Sequence, residues 1–157
     1  MVKKLSNFTV VIRVKNEERW IGYAIQSVLD HLIKPEIVIV DNNSTDKTID
    51  IVKFFAENPN LNNEANNYSK IKIVNIANYS PGRALNLGVK NASKKYILIL
   101  SAHCILKKFN EINILKDLEK NACVLEIRSQ FGMEKKYQKD IYGVTFLTKK
   151  LKICIPN

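Results

Sequence analysis

The sequence predicts an α/β fold in which a mostly parallel sheet carries helices on both faces. Short apolar runs alternate with segments whose apolar residues recur at helical spacing, and this alternation starts and ends with a strand. Polar clusters follow the first, second and fourth of these strands. Since carboxyl ends of parallel strands share one edge of a sheet, a ligand site is expected there. The 157 residues fit one domain.

The first strand is predicted at Phe8–Val14, which is rich in β-branched residues. Asn16 is predicted to cap the helix that follows, with Glu17 and Glu18 in its first turn, where the helix dipole favours acidic side chains. One face of this helix is apolar. Its members are Trp20, Ile21, Ala24, Ile25, Val28 and Leu29.

The second strand is predicted at residues 36–40 and leads directly into the polar run 41–46, DNNSTD. Ser44 or Thr45 is predicted to cap the second helix. The apolar positions of that helix lie along one side. They are Ile49, Val52 and Phe55.

Residues 58–70 are dense in asparagine, which predicts a surface loop. A third strand is predicted at 71–76, and the turn-forming residues 79–82 lead into a third helix. The apolar residues of this helix recur at i, i+3, i+4 and i+7. They are Leu85, Gly88, Val89 and Ala92.

The unbroken apolar run 96–100 predicts a buried central strand that ends at Ser101, Ala102 and His103. This triplet is either part of a ligand site or simply a polar loop. A further helix is predicted around 110–120 and a fifth strand at 123–127. Beyond residue 129 the pattern weakens.

The formal charge of +10 suits an anionic partner such as a nucleotide, a nucleic acid or an acidic membrane surface. A nucleic-acid-binding protein is disfavoured, because no known motif is present and aromatic residues make up only 8%. Three widely spaced cysteines argue against a disulfide framework or a structural zinc site, and indicate a reducing cytoplasm. Cys104 is interpreted as a small buried residue. Residues 1–15 carry no signal-peptide pattern and no apolar run is long enough to span a membrane.

Three motifs in order resemble the amino-terminal half of a family 2 glycosyltransferase of the GT-A type. They are VVIRVKNEERWIGYAIQSVL, IVIVDNNSTDKTIDIV and SPGRALNLGVKNASKKYILIL, and the similarity covers about residues 8–128. The resemblance implies a Rossmann-like sheet that binds a nucleotide sugar, within a single domain 1–157. It also implies that residues 129–157 begin an acceptor part that is not complete.

In this resemblance Asp41 matches the aspartate that accepts a hydrogen bond from the nucleobase. An acceptor-only carboxylate suits uracil, which presents the N3–H donor, and therefore favours UDP. The alternative is an aspartate that caps the turn after its strand. Asn43 is grouped with the nucleotide-binding residues, although it and Ser44 are expected mainly to shape the loop.

Further nucleotide contacts are expected at the end of the first strand and at the third helix. Arg13, Lys15 and Asn16 match positions that border the base and ribose, and the two cations also suit a diphosphate. Glu17 is included with them, against the alternative of a helix-dipole residue. Arg83 either holds phosphate oxygens near a helix amino terminus or faces solvent.

His103 stands where the family carries the metal-binding carboxylate of its Asp-x-Asp pair, and some similar enzymes use histidine there. Imidazole suits Mn²⁺ better than Mg²⁺, so a divalent metal held by His103 is expected, with a metal-free or inactive site as the alternatives. The resemblance implies sugar transfer from a nucleotide-sugar donor to a saccharide or lipid-linked acceptor. No residue is assigned as the catalytic base.

The resemblance also implies a setting in cell-surface polysaccharide synthesis, with a cytoplasmic location and peripheral contact with the inner face of the membrane. No nucleic-acid partner is expected. The alternative function is an inactive nucleotide-binding remnant, or a subunit that needs a partner for its acceptor site.

Overall fold

The computed structural model describes residues 7–32, 34–58 and 70–106, and the backbone of two further strands. Six strands and three helices are assigned in these parts. In chain order they are β1 Phe8–Val14, α1 Ile21–His31, β2 Glu36–Asp41, α2 Thr48–Glu57, β3 Lys70–Asn75, α3 Pro81–Asn91, β4 Tyr96–Ser101, β5 Leu125–Ile127 and β6 Val144–Thr148.

The strands form one sheet in the order β3-β2-β1-β4-β6-β5. Strands β3, β2, β1 and β4 are mutually parallel, and β6 is antiparallel to both β4 and β5. The prediction of a mostly parallel α/β sheet is therefore confirmed, and the apolar run of β4 occupies a central position as expected. Strand β6 was not predicted from the sequence.

The helices cover both faces of the sheet, as predicted. One apolar cluster joins α1 and α2 to alternate residues of β1, including Phe8, Val10 and Ile12. The second cluster joins α3 to Val11 and to residues of β2 and β4. This division follows from the alternation of side chains along a strand, which sends neighbouring residues of β1 to opposite faces.

Helix α3 lies so close to the sheet that only glycine fits at one position. A Cβ atom added to Gly88 would lie 2.3 Å from Cγ1 of Val11. Gly88 and Ala84 are the buried residues of this helix, while Leu85 and Val89 are half-buried. The predicted apolar face is confirmed at Gly88, at Val89, which packs against the core, and at Ala92, which is buried just after the helix. The small side chain of Ala84 extends it.

The start of α1 differs from the prediction. Asn16 does not cap this helix, because its backbone is left-handed at φ 54° and its side chain contacts Thr45 instead. The Glu17 carbonyl oxygen accepts hydrogen bonds from the amides of Trp20 and Ile21, so a turn precedes the helix. Trp20 consequently stands before the helix and is 45% exposed, not buried on its apolar face.

The start of α2 also differs. Helix α2 begins at Thr48, too far along the chain for Ser44 or Thr45 to cap it. Asp46 accepts a hydrogen bond from the Thr48 amide at 2.9 Å instead. Of the predicted apolar positions, Val52 is buried, and Ile49 and Phe55 are half-buried against the core.

A buried polar cluster lies at the amino-terminal edge of the sheet, around the first residue of β2. Glu36 is 1% exposed, and its carboxylate accepts hydrogen bonds from the Thr9 hydroxyl and the Ser93 amide, both at 2.6 Å. The Lys72 ammonium lies 2.8 Å from the other carboxylate oxygen. Burial raises the pKa of Glu36, but these hydrogen bonds outweigh it and lower the pKa from 4.5 to about 2.

Some predicted features lie outside the described residues, namely the helix around 110–120 and most of the loop at 58–70. Of the strand predicted at 123–127, residues 125–127 are described and form β5. None of the helices within the described ranges is both long and apolar enough to cross a membrane.

Candidate active site

The carboxyl ends of β1, β2 and β4 lie side by side. Val14 of β1 pairs with Asp41 of β2, and Arg13 pairs with Ser101 of β4. The polar clusters that follow these strands therefore meet at one edge of the sheet, as the sequence predicted. The edge carries an open cleft with about 490 Å³ of free space, part of which is bulk solvent. Its lining consists of Arg13, Val14, Lys15, Glu17, Tyr79, Ser101, Ala102 and His103.

The cleft brings together four of the residues proposed from the sequence: Arg13, Lys15, Glu17 and His103. Two cations thus share a small cleft with a carboxylate and an imidazole. Such a combination can bind an anion such as a diphosphate directly and can also supply ligands to a cation. Tyr79 is a cleft residue that sequence reasoning missed, because it stands in a stretch interpreted only as a turn. An aromatic residue just after a strand of a parallel sheet was the available signal.

Asn16 and Asn43 do not line the cleft but build the loops beside it. Both adopt left-handed backbone conformations, with φ of 54° and 52°, which asparagine tolerates better than most residues. The Asn16 side-chain oxygen accepts a hydrogen bond from the Thr45 amide at 2.8 Å. The Asn43 carbonyl oxygen accepts one from the Lys15 ammonium at 2.7 Å. The loops after β1 and β2 are therefore tied to each other.

Asp41 is 4% exposed and does not belong to the cleft lining, and the hydrogen bonds of its side chain are local. Its Oδ1 accepts hydrogen bonds from the Ser44 hydroxyl at 2.6 Å and from the Ser44 amide at 3.1 Å. This is the turn-capping arrangement that the sequence left open as an alternative. The second oxygen, Oδ2, has only a 3.3 Å contact with the Ser44 amide and so keeps acceptor capacity.

Arg83 lies apart from the cleft lining, in the exposed first turn of α3. The helix is capped by Ser80, whose hydroxyl accepts a hydrogen bond from the Arg83 amide at 3.2 Å. This amide is thus already used by the protein, which weakens the expectation that the free N–H groups here hold phosphate.

Glu17 and His103 approach each other across the cleft. The Glu17 Oε1 atom lies 3.8 Å from His103 Nδ1, and their side chains are 25% and 63% exposed. Glu17 precedes α1 by four residues, so the alternative role of a helix-dipole residue in the first turn is wrong. Among the described residues no three potential His, Cys, Asp or Glu ligands come together. The pair therefore fits an ion that takes its remaining ligands from a bound molecule and water, not a structural metal.

Cys104 follows His103 but is buried and carries no sign of reactivity. Burial raises the pKa of its thiol, an effect that a hydrogen bond with Ser101 only partly offsets, and the Glu17 carboxylate raises it further. A thiol that stays protonated is a poor metal ligand or nucleophile. The interpretation of Cys104 as a small buried residue is confirmed.

The family model for glycosyl transferase family 2 matches residues 9–154. An uncharacterised glycosyltransferase of Rickettsia conorii is 33% identical over 141 residues, which is 87% of this chain and 22% of that protein.

Solved structures share the fold. A crystal structure of Staphylococcus aureus TarS, residues 1–349 in complex with UDP-GlcNAc, superposes with a TM-score of 0.65 and 17% identity, over 90% of this chain and 45% of that one. The mannosyltransferase PcManGT of Pyrobaculum calidifontis, in complex with GDP-Man and Mn²⁺, gives a TM-score of 0.66 and 21% identity, over 82% and 37%.

The chain spans about a fifth of the Rickettsia relative and less than half of either structural neighbour. The family match nevertheless covers nearly all of this chain and includes the loops that form the cleft. The predicted resemblance is thereby confirmed: the chain belongs to glycosyl transferase family 2.

Proposed function

We propose that this chain binds a nucleoside diphosphate sugar in the cleft and provides the donor side of a glycosyl transfer reaction. The observation that carries the proposal is the cleft at the carboxyl ends of β1 and β4, where Arg13 and Lys15 meet Glu17 and His103. Membership of the family and the position of the cleft in an open α/β sheet support the same function.

Arg13 and Lys15 are the candidate partners of the diphosphate. Arg13 is half-buried at the end of β1, and its planar guanidinium can donate paired hydrogen bonds to phosphate oxygens. The Lys15 ammonium donates one hydrogen bond to the Asn43 carbonyl oxygen at 2.7 Å, and its two other N–H groups are available to a ligand. Both cations would stabilise the negative charge that develops on the departing diphosphate.

UDP is the proposed nucleotide. The Oδ2 atom of Asp41 retains acceptor capacity for the N3–H group of uracil, while Ser44 fixes the orientation of the carboxylate. The complex of the structural neighbour TarS with UDP-GlcNAc supports this choice. Asn43 and Asn16 would act by holding the shape of the two loops, and Arg83 remains a more distant candidate for phosphate.

A divalent metal, with Mn²⁺ favoured over Mg²⁺, would be held by His103 next to the diphosphate. When bound, such an ion neutralises phosphate charge and so helps the leaving group to depart. The presence of Mn²⁺ in the PcManGT complex supports a metal of this kind. The carboxyl-terminal residues 129–157 would then begin the acceptor side, which takes a saccharide or lipid-linked hydroxyl at the cytoplasmic face of the membrane.

Calorimetric titration with UDP, with and without Mn²⁺, tests the proposal. We expect binding in the micromolar to millimolar range that strengthens with Mn²⁺, and a clear loss of affinity in Arg13→Gln. Arg19→Gln is the matched control, because the Arg19 guanidinium stacks on Trp20 at 5.7 Å, away from the cleft lining. The proposal is overturned if the two substitutions change UDP affinity equally, or if the wild-type chain binds no UDP.

A second function, nucleotide binding without catalysis, is favoured by the triplet Ser101, Ala102 and His103. The triplet lacks both carboxylates of an Asp-x-Asp pair. Among the described residues, Glu17 is the only one that brings a carboxylate to the cleft lining. Incubation with UDP-sugars distinguishes the two functions. Binding accompanied by slow release of UDP, through transfer to water or to an added acceptor, indicates an enzyme; binding with no turnover indicates a subunit or remnant.

A further inference from the structure

We propose that Glu17 is a second protein ligand of the divalent ion and that it acts together with His103. This inference rests on the proposed function, because the ion is the one that accompanies the nucleotide diphosphate. In this arrangement the loops after β1 and β4 contribute one ligand each, in place of two carboxylates from a single loop.

The geometry of the pair is close to what an ion requires. Glu17 Oε1 and His103 Nδ1 are 3.8 Å apart. Ligand bonds of about 2.0–2.2 Å put neighbouring ligands of an octahedral ion roughly 3 Å apart. A small side-chain rotation closes the difference. His103 is 63% exposed, so its imidazole is free to make that adjustment.

Hydrogen bonds fix the backbone of Glu17, so its side chain starts from a defined position beside the cleft. Its amide donates a hydrogen bond to the Thr48 hydroxyl at 2.7 Å, and its carbonyl oxygen accepts hydrogen bonds from the amides of Trp20 and Ile21 at 2.9 Å. Both backbone groups are thus used, one by α2 and one by the start of α1. Preorganised ligands of this kind lower the cost of binding an ion.

The chemistry of the donors matches the proposed ion. One carboxylate oxygen and one imidazole nitrogen suit Mn²⁺, which accepts mixed oxygen and nitrogen ligands, whereas Mg²⁺ prefers oxygen alone. Among the described residues no third His, Cys, Asp or Glu lines the cleft, so diphosphate oxygens and water would fill the remaining positions. This explains why the ion would bind with the nucleotide and only weakly without it.

A simple ion pair between Glu17 and protonated His103 is the competing explanation of the same contact. It predicts no role for Glu17 once a metal is present. The two explanations therefore differ in the effect of Glu17 on metal-dependent UDP binding and in the spectrum of the bound ion.

The test uses Mn²⁺ and UDP as probes, with Glu17→Gln, His103→Ala and the matched control Glu18→Gln. Glu18→Gln removes the same charge from the neighbouring residue. In the wild type the Glu18 carboxylate lies outside the cleft lining and accepts a hydrogen bond from the Lys47 amide at 2.9 Å. UDP affinity is measured by calorimetry with and without Mn²⁺. Bound Mn²⁺ is observed directly by electron paramagnetic resonance.

We expect Glu17→Gln and His103→Ala each to reduce the Mn²⁺-dependent gain in UDP affinity, which is the ratio of the affinities with and without Mn²⁺ in the same variant, by at least roughly 10-fold. The double variant should lose the Mn²⁺-dependent gain that either single variant keeps, because it leaves the ion no protein ligand of the pair. Nitrogen coupling in the spectrum should disappear in His103→Ala and persist in Glu17→Gln, with altered zero-field splitting. Glu18→Gln should match the wild type.

If Glu17→Gln keeps the full Mn²⁺ effect, as Glu18→Gln does, the inference is overturned while the proposed function stands. If the wild-type chain binds no UDP under either condition, the proposed function fails and the inference fails with it.

Discussion

The side chain of Asn16 accepts a hydrogen bond from the backbone amide of Thr45 at 2.8 Å, and this contact joins the loops that follow β1 and β2. The Asn16 amide in turn donates to the Ser44 hydroxyl at 3.0 Å. Ser44 also holds Asp41. One residue in a left-handed conformation therefore connects the cation-bearing end of β1 to the carboxylate proposed to recognise the base.

Asn16→Ala should destabilise the chain by roughly 1–2 kcal/mol. It removes the acceptor for the Thr45 amide and places alanine at a φ of 54°, where asparagine is better tolerated. Urea unfolding measures the change. Asn16→Asp is the control, because it keeps a side-chain oxygen and tolerates the same backbone conformation. If both variants unfold like the wild type, the loop contact does not contribute to stability.

The strands that build the site could be predicted from the sequence, because each is a short β-branched run whose burial leaves few alternatives. The starts of α1 and α2 could not be predicted in this way. The local rule that favours Asn16 as a cap competes with a contact to Thr45, 29 residues away, and the distant contact wins.

The site was predictable in part for the same reason. The meeting of strand ends follows from parallel topology, so Arg13 and His103 were expected to be neighbours. The approach of Glu17 to His103 depends on the turn that precedes α1, which no residue pattern indicated. Tyr79 reaches the cleft from a loop, where sequence carries little positional information.

Asp41→Ala should weaken UDP binding by roughly 1.5–3 kcal/mol, the usual contribution of a hydrogen bond to a charged group. Calorimetry measures the loss. Ser44→Ala is the control for loop shape, because it removes the 2.6 Å contact with Asp41 and leaves the carboxylate in place. Ser44→Ala should lower UDP affinity less than Asp41→Ala does. Unchanged affinity in Asp41→Ala would remove this residue from the nucleobase site.

Glu36 should make stability depend on pH in the acid range. Its pKa is about 2 in the folded chain and 4.5 without the fold, so the folded state favours the ionised form. The stabilisation is complete above about pH 4.5, is lost as the pH falls toward 2, and corresponds to roughly 3 kcal/mol. Urea unfolding at pH 7, 4 and 3 should show this decline.

Glu36→Gln should lower stability at pH 7 and flatten the dependence between pH 4.5 and 2. Glu57→Gln provides the comparison, since Glu57 is exposed at the end of α2. Its variant should follow the wild-type curve. A Glu36→Gln curve parallel to the wild type would show that the cluster with Lys72 and Thr9 does not set the acid stability.

Gly88→Ala should destabilise the chain by roughly 1–3 kcal/mol, because the new Cβ would lie 2.3 Å from Cγ1 of Val11 and force α3 away from the sheet. Gly22→Ala in α1 is the matched substitution. Its Cβ would meet Ile51 at 3.6 Å, an ordinary contact, so the better helix propensity of alanine should leave stability unchanged or raised. Thermal unfolding compares them, and equal effects would contradict this account of α3 packing.

Nuclear magnetic resonance on the ¹⁵N-labelled chain can map directly where UDP binds. We expect the amide signals that shift to lie at the carboxyl edge of the sheet, in the cleft residues Arg13, Lys15, Glu17, Tyr79 and His103. The amide signals of residues at the opposite edge of the sheet, such as Glu36 and Ser93, should not shift. Shifts confined to that opposite edge, or none at saturating UDP with Mn²⁺, would contradict the assignment of the cleft as a nucleotide-sugar site.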